Sequence, residues 1–196
     1  LGGSFNPAHA GHRQISVEAL RRLRLDEVWW LVSPQNPLKP AAGMAPLAVR
    51  LASARAVARH QPRIRVSAIE VELGTRFAVD TVAALRHRYR RTRFVWLVGA
   101  DILPELHRWH RWRDLLRSVP VAVLARPRYA GAALRSPAMA WARRWRRRAG
   151  AVADWPDWPL PAILVLDTPA NPVSATAIRA ANPDWARMAG PIGNDR

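Results

Sequence analysis

Short apolar runs alternate with segments of helical spacing along the whole chain, and this alternation limits the folds open to it. Val28-Trp29-Trp30-Leu31-Val32 and Val121-Ala122-Val123-Leu124-Ala125 are unbroken apolar runs. Residues 64–69, 93–99 and 162–166 are similar in length and read as strands. Between them, Ile15, Ala19, Leu20 and Leu23 recur at the spacing of one helix face, which predicts a helix over residues 10–24. Further helices are predicted over residues 46–60, 77–90, 109–117, 138–149 and 174–181. Ser136-Pro137 is a cap followed by a first-turn proline, and Ser174 is a cap for the last helix. Apolar strands separated by helices predict an α/β fold: a Rossmann-like parallel sheet with helices on both faces. With 49% hydrophobic residues in 196, there is core for one domain over residues 1–196, and no repeat or linker divides it. Ligands of such sheets sit beyond the C-terminal strand ends. That directs attention to residues 2–12 and 99–112.

Several classes are excluded by what the chain lacks. No apolar run approaches the ~20 residues of a membrane span, and the start has no basic and apolar leader. There is no cysteine, hence no disulfide, thiolate metal site or thiol nucleophile. A cytoplasmic protein without membrane attachment is expected. The net charge is +17, from 31 basic and 14 acidic residues, and Lys39 is the single lysine. Such a field attracts polyanions: nucleotides, nucleic acid or anionic membrane. Leu1 reads as the end of a strand, so the first strand is expected to be truncated in this chain.

Gly2-Gly3-Ser4-Phe5-Asn6-Pro7-Ala8-His9-Ala10-Gly11-His12 is the densest motif. A glycine pair lets a phosphate approach the backbone closely. The helix that follows offers free N–H groups and the positive end of its dipole. Two imidazoles there can donate to phosphate oxygens as charge builds in a transition state. The plainer reading is a tight strand-to-helix turn with a capping histidine. Near the other end, Val173-Ser174-Ala175-Thr176-Ala177-Ile178-Arg179 places hydroxyls at a helix start and an arginine one turn in. This suits a triphosphate, although a capped helix with a solvated arginine has the same appearance.

The first motif resembles the signature of the nucleotidyltransferase superfamily, most closely that of bacterial nicotinate-nucleotide adenylyltransferases. The second resembles that family's Ile-Ser-Ser-Thr-x-Ile-Arg, with Ala175 lacking one hydroxyl. The resemblance runs in the family's order from Gly2 to about Arg179 and is weakest over residues 126–161. It implies the nucleotidyltransferase fold. It also implies transfer of the adenylyl group of ATP to nicotinic acid mononucleotide, giving nicotinic acid adenine dinucleotide and pyrophosphate in NAD biosynthesis.

Residue roles follow by position. His12, His9 and Arg179 would be catalytic. Gly3, Ser4, Phe5, Lys39, Ser174 and Thr176 would bind ATP and its phosphates. Gly99 and Asp101, in a Gly-x-Asp, would hold the adenosine ribose. Trp109 would stack on the pyridine, although the chain has 10 tryptophans and a core role is open. Phe77, Asp80 and Thr81 lie in a stretch resembling the family's Tyr/Phe-Thr-x-Asp-Thr and would contact the pyridine nucleotide, or simply start a helix. Ala78 replaces the first threonine, which leaves acid against amide open.

His9-x-x-His12 and His107-x-x-His110 have a spacing that could bind metal, but no local Cys or Glu completes either. No protein-held metal is expected; Mg²⁺ would arrive with ATP, held by phosphates and water. Arg143, Arg144, Arg146, Arg147 and Arg148 crowd the helix predicted over 138–149. They read first as a solvated face, so nucleic acid is not the expected partner. The alternatives are a basic nucleic-acid-binding protein that has lost catalysis, or a sibling adenylyltransferase acting on nicotinamide mononucleotide, phosphopantetheine or a flavin.

Overall fold

In a computed structural model, residues 1–35, 42–125, 130–169 and 171–188 are described. In chain order they form β1 (Gly2–Gly3), α1 (Ala10–Arg22), β2 (Val28–Val32), α2 (Leu47–Ala58), β3 (Ile64–Ser67), α3 (Ile69–Leu73) and α4 (Ala78–Arg88). There follow β4 (Trp96–Gly99), α5 (Leu103–Leu106), α6 (Trp112–Ser118), β5 (Val121–Ala125), α7 (Ala130–Leu134) and α8 (Pro137–Ala142). Last come β6 (Arg146–Arg147), β7 (Ile163–Asp167), α9 (Ala175–Ala181) and α10 (Trp185–Met188). Short 3₁₀ turns occupy Ala100–Ile102, Arg143–Trp145 and Ala149–Asp157.

The fold class is the one expected, a parallel α/β arrangement. Its strands form one sheet ordered β1-β2-β3 and a second ordered β4-β5-β7-β6. Every pairing is parallel. The chain divides into two compact units. The first comprises residues 1–17, 26–76 and 172–196, and the second residues 18–25 and 77–171.

In the first unit, Trp30 and Val32 point from β2 into the core, and the Trp30 ring is fully buried. Its indole N–H donates to Ser16 Oγ at 2.8 Å, and that hydroxyl donates to His12 O at 2.8 Å. The polar end of a buried tryptophan is thereby satisfied inside α1. β1 is short: Gly2 and Gly3 pair with Leu31 and Val32. The two glycines thus belong to the strand itself, and the turn begins at Ser4. In the second unit, β5 is buried along its whole length, and Leu164 and Leu166 of β7 are fully buried. Trp155 Nε1 donates to Leu23 O at 2.8 Å, which holds the 3₁₀ segment against the end of α1.

Two expectations are corrected. The strand predicted to reach Ile69 ends at Ser67, and Ile69 opens α3. Glu70 in the first turn and Gly74 as a left-handed cap at φ 62° make this five-residue segment a helix. The helix predicted over 138–149 stops at Ala142. Ser136 caps it as expected, accepting from Met139 N. The arginine run beyond it then leaves the helix, and Arg146 and Arg147 pair with Ile163 and Leu164 of β7. Five arginines in six residues would stack like charges at i,i+3 and i,i+4 on a helix. The turn and edge strand spread them apart.

Leu164→Ala should cost about 2–5 kcal/mol in unfolding free energy, the range for a buried leucine that leaves a cavity. Urea denaturation measures this; a cost below about 1 kcal/mol would mean that β7 is not a central strand of its sheet.

Candidate active site

The first motif folds as a strand, a turn and a helix start in the first unit. Phe5 takes a left-handed φ of 47°, which reverses the chain after β1. The strain of that backbone is offset by burial of the ring, which stacks on Trp30 at 5.1 Å and meets His12 at 4.8 Å. Asn6 is buried and cross-links the turn. Its Nδ2 donates to Gly43 O at 2.9 Å, and its Oδ1 accepts from Ala45 N at 3.1 Å. Ser4 and Gly3 lie half-buried beside it.

His9 and His12 are brought together, with ring centroids 3.9 Å apart. The His9 backbone N–H donates to His12 Nδ1 at 3.2 Å. Since Nδ1 accepts, a neutral His12 carries its proton on Nε2, which is then a donor. Gly11 stands between this pair and the second motif. A Cβ there would lie 2.9 Å from His9 Nδ1 and 3.5 Å from Val173 O. Only glycine leaves the imidazole its place.

The second motif joins the first through Arg179. Its Nη1 donates to Asn6 O at 2.5 Å, and its Nη2 to Thr176 Oγ1 at 3.4 Å. Residues 173 apart in sequence therefore share one site. Ser174 caps α9, accepting from Ala177 N at 3.1 Å, so its hydroxyl serves the backbone as the plainer reading had it. Lys39 lies outside the described residues.

The remaining candidates belong to the second unit. Gly99 ends β4 and Asp101 is exposed in the turn that follows. A Cβ on Gly99 would overlap Asp101 Oδ1. The glycine of this Gly-x-Asp leaves the carboxylate two residues on in its place. Phe77 precedes α4 and stacks on His110 at 4.3 Å. Asp80 faces Arg111 at 3.8 Å. Thr81 is buried and its hydroxyl donates to Phe77 O at 3.1 Å, a back-bond within the first turn. Trp109 is half-buried just before α6.

A cytidylyltransferase-like family model matches residues 1–181. A protein of Erythrobacter litoralis HTCC2594, named probable nicotinate-nucleotide adenylyltransferase, is 57% identical over 185 residues, covering 94% of this chain and 84% of its own. This chain belongs to the nicotinate-nucleotide adenylyltransferase family. A second member of the family, from Cereibacter sphaeroides ATCC 17025 and bearing the same name, is 56% identical over 180 residues, 92% of this chain and 95% of that one. The fold agrees. The Plasmodium falciparum nicotinic acid mononucleotide adenylyltransferase solved in complex with NaAD superposes with a TM-score of 0.66. The match covers 91% of this chain and 80% of that one, at 12% identity.

Four residues that shape these surroundings carry little or no signal in the sequence. Asn6 carries no assigned role in the sequence, although its side chain holds the turn. His110 is weighed in the sequence only for metal spacing and Arg111 not at all, yet they meet Phe77 and Asp80. Their signal was adjacency to Trp109. Arg50 lies in an Ala-rich helix and gives no signal at all.

Gly11→Ala should displace the His9 imidazole and lower turnover by about tenfold or more, since small displacements of catalytic groups are costly. Histidine side-chain NMR against wild type reads the displacement directly; unchanged His9 resonances would show that the ring has room to spare.

Proposed function

We infer that this chain transfers the adenylyl group of ATP to nicotinic acid mononucleotide, releasing pyrophosphate and forming nicotinic acid adenine dinucleotide. Among its geometric features, the joining of Arg179 to Asn6 carries this reading, because it places the Ser-x-Thr-x-x-Arg segment against the His-x-Gly-His turn. The family relationship, at more than half identity, supports the same substrate pair.

A phosphate oxygen of the mononucleotide attacks the α-phosphorus of ATP in line. One P–O bond forms, the bond from the α-phosphorus to the bridging oxygen breaks, and the electron pair leaves with pyrophosphate. No covalent enzyme intermediate is required, so positioning and charge stabilisation supply the catalysis. His12 donates from Nε2 to a phosphate oxygen as charge shifts, with His9 beside it. Arg179, with Thr176 and Lys39, holds the phosphates that leave. Gly3, Ser4 and Phe5 shape the turn that receives them. Asp101 accepts from the ribose hydroxyls, with Gly99 giving it room. Trp109 and Phe77 offer ring faces to the pyridine, and Asp80 and Thr81 fix the start of α4 beside Phe77.

Among the described residues, no group of three or more His, Asp or Glu side chains could hold a metal ion. Mg²⁺ would arrive with ATP, held by the phosphates and water, and would neutralise charge on the leaving group. No helix among the described residues is long and apolar enough to cross a membrane. A cytoplasmic location belongs to the proposal, since ATP is the substrate. The nucleic-acid alternative would instead show salt-dependent RNA binding without pyrophosphate release.

Pyrophosphate release from ATP and Mg²⁺ should be faster with nicotinic acid mononucleotide than with its amide. Release with neither acceptor would overturn the reading, and preference for the amide would reassign the substrate. His12→Ala should lower kcat by about 10²–10³-fold, the cost of losing one transition-state donor, with circular dichroism unchanged. Near-normal turnover would remove His12 from the mechanism.

A further inference from the structure

α2 places an arginine where its Ala-rich sequence suggests only packing. Arg50, Ala54 and Ala58 form one buried stripe along this helix, and Arg50 is 1% exposed. A buried guanidinium needs partners for its donors, and a carboxylate is the usual one. Arg50 has none among the described residues. Its hydrogen bonds go to four backbone carbonyls instead. Nε donates to Ala45 O at 2.8 Å, Nη1 to Ser4 O at 2.8 Å and to Ser33 O at 2.6 Å, and Nη2 to Pro34 O at 2.8 Å.

Those carbonyls belong to separate turns. Ser4 opens the turn after β1 that leads to His9 and His12. Ser33 and Pro34 open the turn after β2, and Ala45 ends that loop just before α2. Neither turn is held by strand pairing beyond the bond from Ser33 N to Gly3 O. The planar fork therefore ties together the two segments that leave adjacent strands at the same sheet edge. Carbonyl dipoles satisfy the guanidinium without cancelling its charge.

We propose that Arg50 is a positioning residue of the phosphate site, which sets the Ser4 turn against the loop after β2 and supplies a fixed positive charge to the phosphates bound there. This rests on the adenylyl-transfer reading above. A lysine cannot replace it. One ammonium offers three donors at a point and cannot span four carbonyls in the plane of a guanidinium.

The test compares wild type with Arg50→Lys and Arg50→Ala. Melting curves and circular dichroism establish folding, kinetics are taken at varied ATP and at varied mononucleotide, and calorimetry measures binding of inorganic pyrophosphate. Arg50→Lys should fold, lose about 10–100-fold in kcat as displaced catalytic groups do, and bind pyrophosphate and ATP more weakly. Its KM for the mononucleotide should stay within about twofold of wild type, a split that loss of stability alone would not produce. Methylguanidine should restore part of the activity of Arg50→Ala. If Arg50→Ala does not fold, Arg50→Lys decides alone. Folded Arg50→Lys with wild-type kcat, ATP KM and pyrophosphate affinity overturns the proposal, and so does a change confined to the melting temperature. Wild type without turnover would instead fail the adenylyl-transfer reading, and the pyrophosphate affinities would still decide the role of Arg50.

Discussion

A parallel sheet delivers its chain ends to one edge but does nothing to hold them there. Beyond the bond from Ser33 N to Gly3 O the ladder of strand hydrogen bonds stops, and the backbone groups that follow need other partners. Polar side chains take over at that point. Asn6 bonds to both backbone groups it can reach in the loop before α2, at Gly43 and Ala45. Arg50 gathers four carbonyls from the same region. Everything that follows in the first unit depends on this edge being fixed. The left-handed Phe5, the His9–His12 pair and the landing point of Arg179 are all set by where the turn after β1 lies.

Each unit solves one problem in the same way. A functional side chain has to fold back over its own backbone, and the residue beneath it must then have no Cβ. Gly11 does this for His9, and Gly99 does it for Asp101. In neither case is the glycine needed for its torsion angles, since only Gly43 and Gly74 among the described glycines have positive φ. The glycines in the two motifs are therefore statements about space.

Legibility in the sequence followed the strength of local signals. β2 and β5 were readable to the residue, because an unbroken apolar run has only one use in a sheet covered on both faces. The Ser136 and Ser174 caps were readable because a hydroxyl before a helix has a defined partner. The helix over residues 138–149 was overextended, since apolar spacing continued while repulsion among five arginines, a pairwise effect, ended it. Arg50 was invisible for another reason. Alanine occupies both faces of α2, so no pattern distinguishes the buried stripe from the solvent side. Thr81 matched a binding motif, yet its hydroxyl is turned to the backbone of its own helix. A motif fixes a residue's place and leaves the direction of its donor to the local fold.

The excess of arginine has a structural use that a net charge alone does not reveal. With 31 basic and 14 acidic residues, most guanidinia cannot find a carboxylate. Many bind carbonyls that would otherwise end loops unpaired. Arg22 donates to Asp167 O, Arg63 to Asp26 O, Arg86 to Ser118 O and Arg147 to Pro159 O. Others lie over indole rings, as Arg113 does on Trp112 and Arg144 on Trp145. Carbonyls and ring faces orient a guanidinium while leaving its charge in place, whereas a carboxylate would cancel it. A chain stapled in this manner keeps a positive field over its surface. For a substrate as highly charged as a nucleoside triphosphate, the same contacts that hold the loops also favour its approach.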